Sequence, residues 1–252
     1  MARLDYDQVA DRYHAGRGVP LEHLDGWRSA IGPHMDDGTG SAPLLDLGAG
    51  TGIWTAAFRQ WFEVPVVAVE PSAGMRQVAR DNGVPDGAWL VAGRAEAIPL
   101  DSSTVGTVWM STVVHHVEDL GECARELARV LRADGRVLIR SSFPGRHDEI
   151  MLFHYFPAAK RVAESFPTVE DLRQLFARVS FELRELQRVR EPAPGSLRDL
   201  RELVVHMRST DSALAPLTDA EFDAGLVAID ADAAREVAPI PLGLDLLVFA
   251  RR

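Results

Sequence analysis

The segment Leu44-Leu45-Asp46-Leu47-Gly48-Ala49-Gly50-Thr51-Gly52-Ile53-Trp54 constrains this chain more than any other. An apolar run ends at an acidic residue, glycines follow at every second position, and Thr55-Ala56-Ala57-Phe58 continues beyond them. That succession predicts a buried parallel strand, a tight turn and the first turn of a helix. Glycine tolerates positive φ and carries no Cβ, so a ligand can lie directly against the backbone of such a turn. The N–H groups that open the following helix point into the same space. The spacing is G-x-G-x-G and departs from the G-x-G-x-x-G of dinucleotide enzymes, because Ile53 falls in that motif's last interval.

Val66-Val67-Ala68-Val69 predicts a second buried strand, ending in Glu70-Pro71-Ser72. An acidic residue about 20 residues past the glycine turn of a doubly wound sheet is placed to accept both hydroxyls of a ribose. Further on stand Gly93-Arg94-Ala95-Glu96-Ala97-Ile98-Pro99-Leu100 and Ser111-Thr112-Val113-Val114-His115-His116-Val117. Together, in this order, the four segments resemble the class I S-adenosylmethionine (SAM)-dependent methyltransferases, in the small-molecule branch of the ubiquinone-biosynthesis type. The resemblance runs from about Asp5 to Phe143 and includes the final strand. It implies one Rossmann-like methyltransferase domain over residues 1–252: a doubly wound α/β fold with a seven-stranded, mostly parallel sheet and a helical lid. The cofactor it implies is SAM.

The net charge of −10 bears on the partner. Phosphate contacts need clustered Lys and Arg, so an acidic chain argues against a nucleic-acid substrate. A nucleic-acid methyltransferase would also carry Asn/Asp-Pro-Pro-aromatic after the fourth strand, where Ser111-Thr112-Val113-Val114 stands. No run approaches the ~18 apolar residues of a membrane span, and the first 20 residues contain no apolar leader core. The single cysteine, Cys123, can form no disulfide within the chain, which fits a reducing compartment. The expectation is a cytoplasmic protein with a small-molecule methyl acceptor, away from membranes, with a homodimer among its possible assemblies.

Along the chain, residues 1–32 predict an N-terminal helical cap split at Gly16-Arg17-Gly18-Val19-Pro20, and Pro33 to Pro43 a linker. Trp89 to Gly93, Val105 to Thr112 and Gly135 to Arg140 read as the third, fourth and fifth strands, with a helix from Glu118 to Leu131 between the last two. Alternating strands and helices imply parallel crossover units. Thr168 starts a helix, Phe181 to Val189 a strand, and Leu242 to Ala250 closes the sheet. The intervening 144–167 and 194–240 are additions expected to form the lid, the second as two or three amphipathic helices.

The resemblance assigns Gly48, Ala49 and Gly50 to the methionine and ribose of SAM, and Asp46 to the orientation of the loop and, directly or through water, to the methionine ammonium. It gives Glu70, followed by Pro71, the ribose hydroxyls, and the Ser111 carbonyl the ammonium. Tyr13 and Arg17 fall where the family offers a phenol and a guanidinium to the methionine end; the alternative is that the first packs and the second is solvated. Met75 lies on the adenine face or in the core. The family often has Asp where Arg94 stands, and arginine accepts no hydrogen bond, so adenine falls to the Ala95 N–H with Glu96, and Arg94 could stack on the ring. Candidates for a general base or substrate ligand are His115, His116, His154 and Tyr155, with His206 behind them; histidine titrates near working pH. No metal set is evident, since His115 and His116 are adjacent rather than one helical turn apart. The activity implied is O- or C-methylation of a small, partly apolar metabolite of secondary or natural-product metabolism. The rival is a SAM-binding protein that does not methylate, since fold alone does not fix function.

Overall fold

The computed structural model describes residues 6–17, 21–35 and 42–252, with backbone alone for residues 11, 12 and 14–17. Strand β1 (Leu44–Leu47) is buried at every position, as a strand covered on both faces must be. It pairs in parallel with β2 (Val66–Glu70) on one side and β4 (Val105–Ser111) on the other. β3 (Ala88–Ala92) extends the sheet beyond β2, and β5 (Leu131–Ser141) extends it beyond β4, both in parallel. β7 (Leu242–Arg251) then runs antiparallel between β5 and β6 (Phe181–Glu191), giving a seven-stranded sheet of order β3-β2-β1-β4-β5-β7-β6. The order reverses between β1 and β4, and the crevice beyond their carboxyl ends is where such sheets bind ligands.

Alternation along the strands divides the core in two. Leu44, Trp109 and Leu138 face one layer, while Leu45, Val108, Met110, Val137 and Ile139 face the other. The second layer is closed by α5 (Leu120–Val130) and α8 (Val169–Ala177), the latter started by a reciprocal Thr168–Asp171 capping box. The first layer collects α2 (Asp25–Ile31), α3 (Ile53–Phe62) and both additions. Residues 144–167 form α6 (Met151–Tyr155) and α7 (Pro157–Ala163); 194–240 form α9 (Leu197–Met207) and α10 (Asp219–Ala233). α10 packs so closely on Phe156 that a Cβ at Gly225 would lie 2.2 Å from its ring. Asp245, buried on β7, accepts hydrogen bonds from Arg146 (2.8 Å) and Arg188 (2.8 Å) and ties the first addition to the sheet.

Helix α1 (Tyr6–Arg17) docks on α4 (Ala73–Asp81) through Asp7. Its carboxylate accepts from Ser72 Oγ (2.7 Å) and the Gly74 N–H (2.9 Å), and those bonds hold it below the usual carboxylate range. A Cβ on Gly74 would sit 2.9 Å from the Asp7 carbonyl oxygen, so this approach requires glycine. The largest boundary difference from expectation lies between α5 and β5. β5 starts at Leu131, because Leu131 pairs with Val105 before the register shifts, and α5 correspondingly ends at Val130. The linker over residues 36–41 lies outside the described residues.

Candidate functional site

Gly48, Gly50 and Gly52 have φ of 75°, 56° and 85°, the left-handed region that L-residues enter only at a cost. A Cβ on Gly48 would lie 2.5 Å from Val113 Cγ2, whereas one on Gly50 would meet nothing within 4 Å. The turn is thus packed against the β4 end on one side and open on the other. The Gly48 and Ala49 N–H groups donate to the Val69 carbonyl at 2.8 and 3.2 Å. Glu70, almost fully buried, accepts from the Gly50 N–H through Oε2 and from the Ser72 N–H through Oε1, each at 2.9 Å. Burial raises its carboxyl pKa, and these two N–H groups oppose the rise. Each carboxylate oxygen has a second lone pair beyond the one occupied.

Around this turn lies a cleft of about 370 Å³. Of the sequence-predicted residues, Tyr13, Gly48, Gly50, Glu70, Pro71 and Met75 line it on one side. Arg94, Ala95, Glu96 and Ser111 complete it. Asp46 and Ala49 do not line it. Asp46 lies beneath the turn, fully buried, and accepts from Thr55 Oγ1 at 2.6 Å, which anchors the first turn of α3; burial pushes its carboxyl up to about 7. Ala49 turns into the core. The Arg17 side chain lies outside the described residues. Arg94 is half exposed at the rim, where Glu118 (3.0 Å) and Glu96 (3.5 Å) engage it. The other oxygen of Glu96 accepts from the Glu118 N–H at 2.7 Å, so both groups are committed to the turn before α5.

A second cavity of about 430 Å³ adjoins the first. Ile150, Phe153 and Phe166 of the first addition, Leu200 and Val204 of α9, and Leu244 of β7 give it an apolar body. At its floor the Arg140 guanidinium lies 5.0 Å from the Trp27 ring, pairs with Glu191 and donates to Ser111 Oγ at 3.2 Å. Glu191 also accepts from Trp27 Nε1 at 2.8 Å. Both cavities are lined by Tyr6, Tyr13, Thr112 and His116. On this shared wall Tyr6 Oη lies 2.8 Å from His116 Nε2. Ser212 Oγ, from the turn between α9 and α10, lies 3.2 Å from the same nitrogen and 3.3 Å from His115 Nε2. The His115 ring stacks on Phe166, with centroids 4.3 Å apart and planes 10° from parallel.

The structure brings His115 and His116 to the wall and keeps the other candidates away. His154 is exposed, and Tyr155 is buried with its hydroxyl donating to Asp232 at 3.1 Å; neither lines either of these two cavities. Burial, with Asp232 second, pushes the Tyr155 phenol up to about 12. His206 is exposed on α9, its ring 2.7 Å from the Glu202 carbonyl of the preceding turn. The sequence reading did not single out Tyr6, which lies within the expected N-terminal helical cap. It also missed Ser212, for which no local signal exists, and Thr112, whose φ of 55° is costly for a β-branched residue.

Residues 45–139 match the family model described as a methyltransferase domain. Over this segment the chain is similar to SAM-dependent methyltransferases. The chain is 33% identical over 138 residues to a demethylmenaquinone methyltransferase of Thermobifida fusca, covering 53% of this chain and 58% of that one. It is 36% identical over 144 residues to a bifunctional biotin-biosynthesis protein of Cellvibrio japonicus, covering 57% and 26% respectively. The matches thus span between 26% and 58% of the length of these curated relatives. Its fold is shared with a putative methyltransferase from an antibiotic-biosynthesis pathway of Anabaena variabilis, with TM-score 0.69, 24% identity and coverage of 90% and 96%. The cleft fits SAM: the Gly50 side of the turn is open, and Glu70 retains acceptor capacity on both oxygens.

Proposed function

We propose that the protein transfers the methyl group of SAM to a small, uncharged, largely apolar acceptor, at oxygen or carbon. The observation that carries this reading is the adjoining pair of cavities, which meet at Tyr6, Tyr13, Thr112 and His116. SAM supplies a methyl group already activated by its sulfonium, so the protein's tasks are placement, exclusion of water and removal of a proton. Glu70 holds the ribose hydroxyls, and the open face of Gly50 lies along the ribose and methionine. His116 takes the proton from the acceptor, because its Nε2 stands at the wall between the two chambers.

The acceptor's neutrality follows from the charges of the second cavity. Among the described residues it holds one arginine, already paired with Glu191, together with the carboxylates of Asp199 and Asp211. A carboxylate or diphosphate would meet excess negative charge there, and burying an unpaired charge is expensive. A neutral ring-bearing molecule suits the aromatic and aliphatic lining, and it accords with the demethylmenaquinone methyltransferase among the relatives. The test measures S-adenosylhomocysteine formed with neutral phenols and quinols against matched carboxylic acids and diphosphates. Turnover confined to neutral acceptors supports the reading, whereas preference for the anionic members, or SAM binding with no turnover on any, opposes it.

A further inference from the structure

The two histidines on the shared wall are joined by one hydroxyl from a distant part of the chain. Ser212 is presented by a stiff turn: the Asp211 carboxylate accepts from the N–H groups of Ala213 (2.9 Å) and Leu214 (3.2 Å). Arg208 braces the same turn by donating to the carbonyls of Leu214 (2.6 Å) and Leu217, with its guanidinium 4.8 Å from the Phe222 ring. On the other side, Phe166 fixes the plane of the His115 ring. The contacts of Ser212 Oγ with both Nε2 atoms therefore join groups that are separately held.

Proton bookkeeping decides how these contacts are used. His116 Nε2 has two oxygen neighbours, Tyr6 Oη and Ser212 Oγ. A phenol is the stronger donor and an imidazole nitrogen the stronger acceptor, so Tyr6 donates to an unprotonated Nε2. Nε2 offers a single lone pair, and the Ser212 hydroxyl, as second donor, shares it with Tyr6 in a three-centre bond. Having one proton, it acts as acceptor toward His115, which donates from a protonated Nε2. The order is His115 N–H to Ser212 O–H to His116 Nε2, with Tyr6 O–H donating from the cofactor side.

We propose that Ser212 is a positioning residue that holds His116 with Nε2 unprotonated at the shared wall and His115 as the opposite tautomer. The role rests on the reading of His116 as the base, but its test does not. The imidazole tautomers are read by two-bond ¹H–¹⁵N correlation on the ¹⁵N-labelled protein in mildly alkaline buffer. Resonances are assigned with His115→Gln and His116→Gln. Expected in the wild type are a proton on His116 Nδ1 and one on His115 Nε2. Ser212→Ala should mix the His116 tautomers and Ser212→Thr should restore them, both variants binding S-adenosylhomocysteine as the wild type does. A protonated His116 Nε2 in the wild type, unchanged tautomers in Ser212→Ala, or loss of cofactor binding in that variant would each overturn the proposal. Because no acceptor enters the measurement, a later failure of His116 as base leaves its outcome intact.

Discussion

The glycine-turn cleft and the second cavity meet along one wall, yet they are made in opposite ways. The cleft is largely a backbone object: left-handed glycines, N–H groups bonded to Glu70, and residues carried at the ends of β1, β2 and β4. The second cavity is a side-chain object, assembled from β5, both additions, the end of β6 and the N-terminal helices. Backbone geometry recognises a constant ligand and tolerates little change. A wall of side chains from additions to a rigid sheet can be altered without disturbing the fold, and specificity belongs there.

The division can be broken most forcefully at His116. With a productive acceptor, His116→Ala should lower methyl transfer by roughly 10²–10⁴-fold, the range for a general base, while calorimetry shows a far smaller change in cofactor affinity. Gly48→Ala should do the reverse. A Cβ in the left-handed region, pressed on Val113, costs roughly 2–4 kcal/mol in strain and overpacking. SAM binding should weaken by at least about tenfold, and Gly48→Ala with Val113→Ala should recover part of the loss. Glu70→Gln keeps one acceptor and should lose roughly 1.5–3 kcal/mol of cofactor binding, the worth of hydrogen bonds to a charged group.

Asp46 sharpens the comparison through stability. Its carboxyl, ordinarily near 3.8, is lifted to about 7 in the fold by burial. Between those values the folded chain keeps a proton that the unfolded chain releases, so this contribution is complete below pH 3.8 and is lost as pH rises through about 7. Asp46→Asn resembles the protonated form and should flatten that part of the melting-temperature profile; an unchanged slope would mean that Asp46 is ionised. The smallest effects are expected at His154 and Tyr155. His154→Ala should leave affinity, turnover and melting unchanged, and Tyr155→Phe should cost only about 1 kcal/mol of stability through the bond to Asp232.

What the sequence disclosed follows the same line. The glycine turn, Glu70 and the segments at Arg94 and Ser111 are each contiguous, and a backbone-built site leaves contiguous marks. The strands were readable because burial on both faces yields unbroken apolar runs, as in β1 and β2. Asp46 anchors α3 through Thr55 beneath the turn, and in a sequence an acid at a strand end looks the same whether it faces the cleft or anchors a helix. His154 and Tyr155 drew attention because they stand among aromatics, but the helical period turns one outward and the other toward α10. Tyr6 and Ser212 reach His116 from about 110 residues before it and 96 after it. Only the tertiary fold brings them together.

The central claim is that the glycine-turn cleft holds SAM and that its reactive end faces the second cavity across His116. A crystal structure of the protein with S-adenosylhomocysteine tests it most directly. The expected result places both ribose hydroxyls within hydrogen-bonding reach of Glu70 and the sulfur at the wall formed by Tyr6, Thr112 and His116. A ribose away from Glu70, or a sulfur turned from that wall, would contradict it.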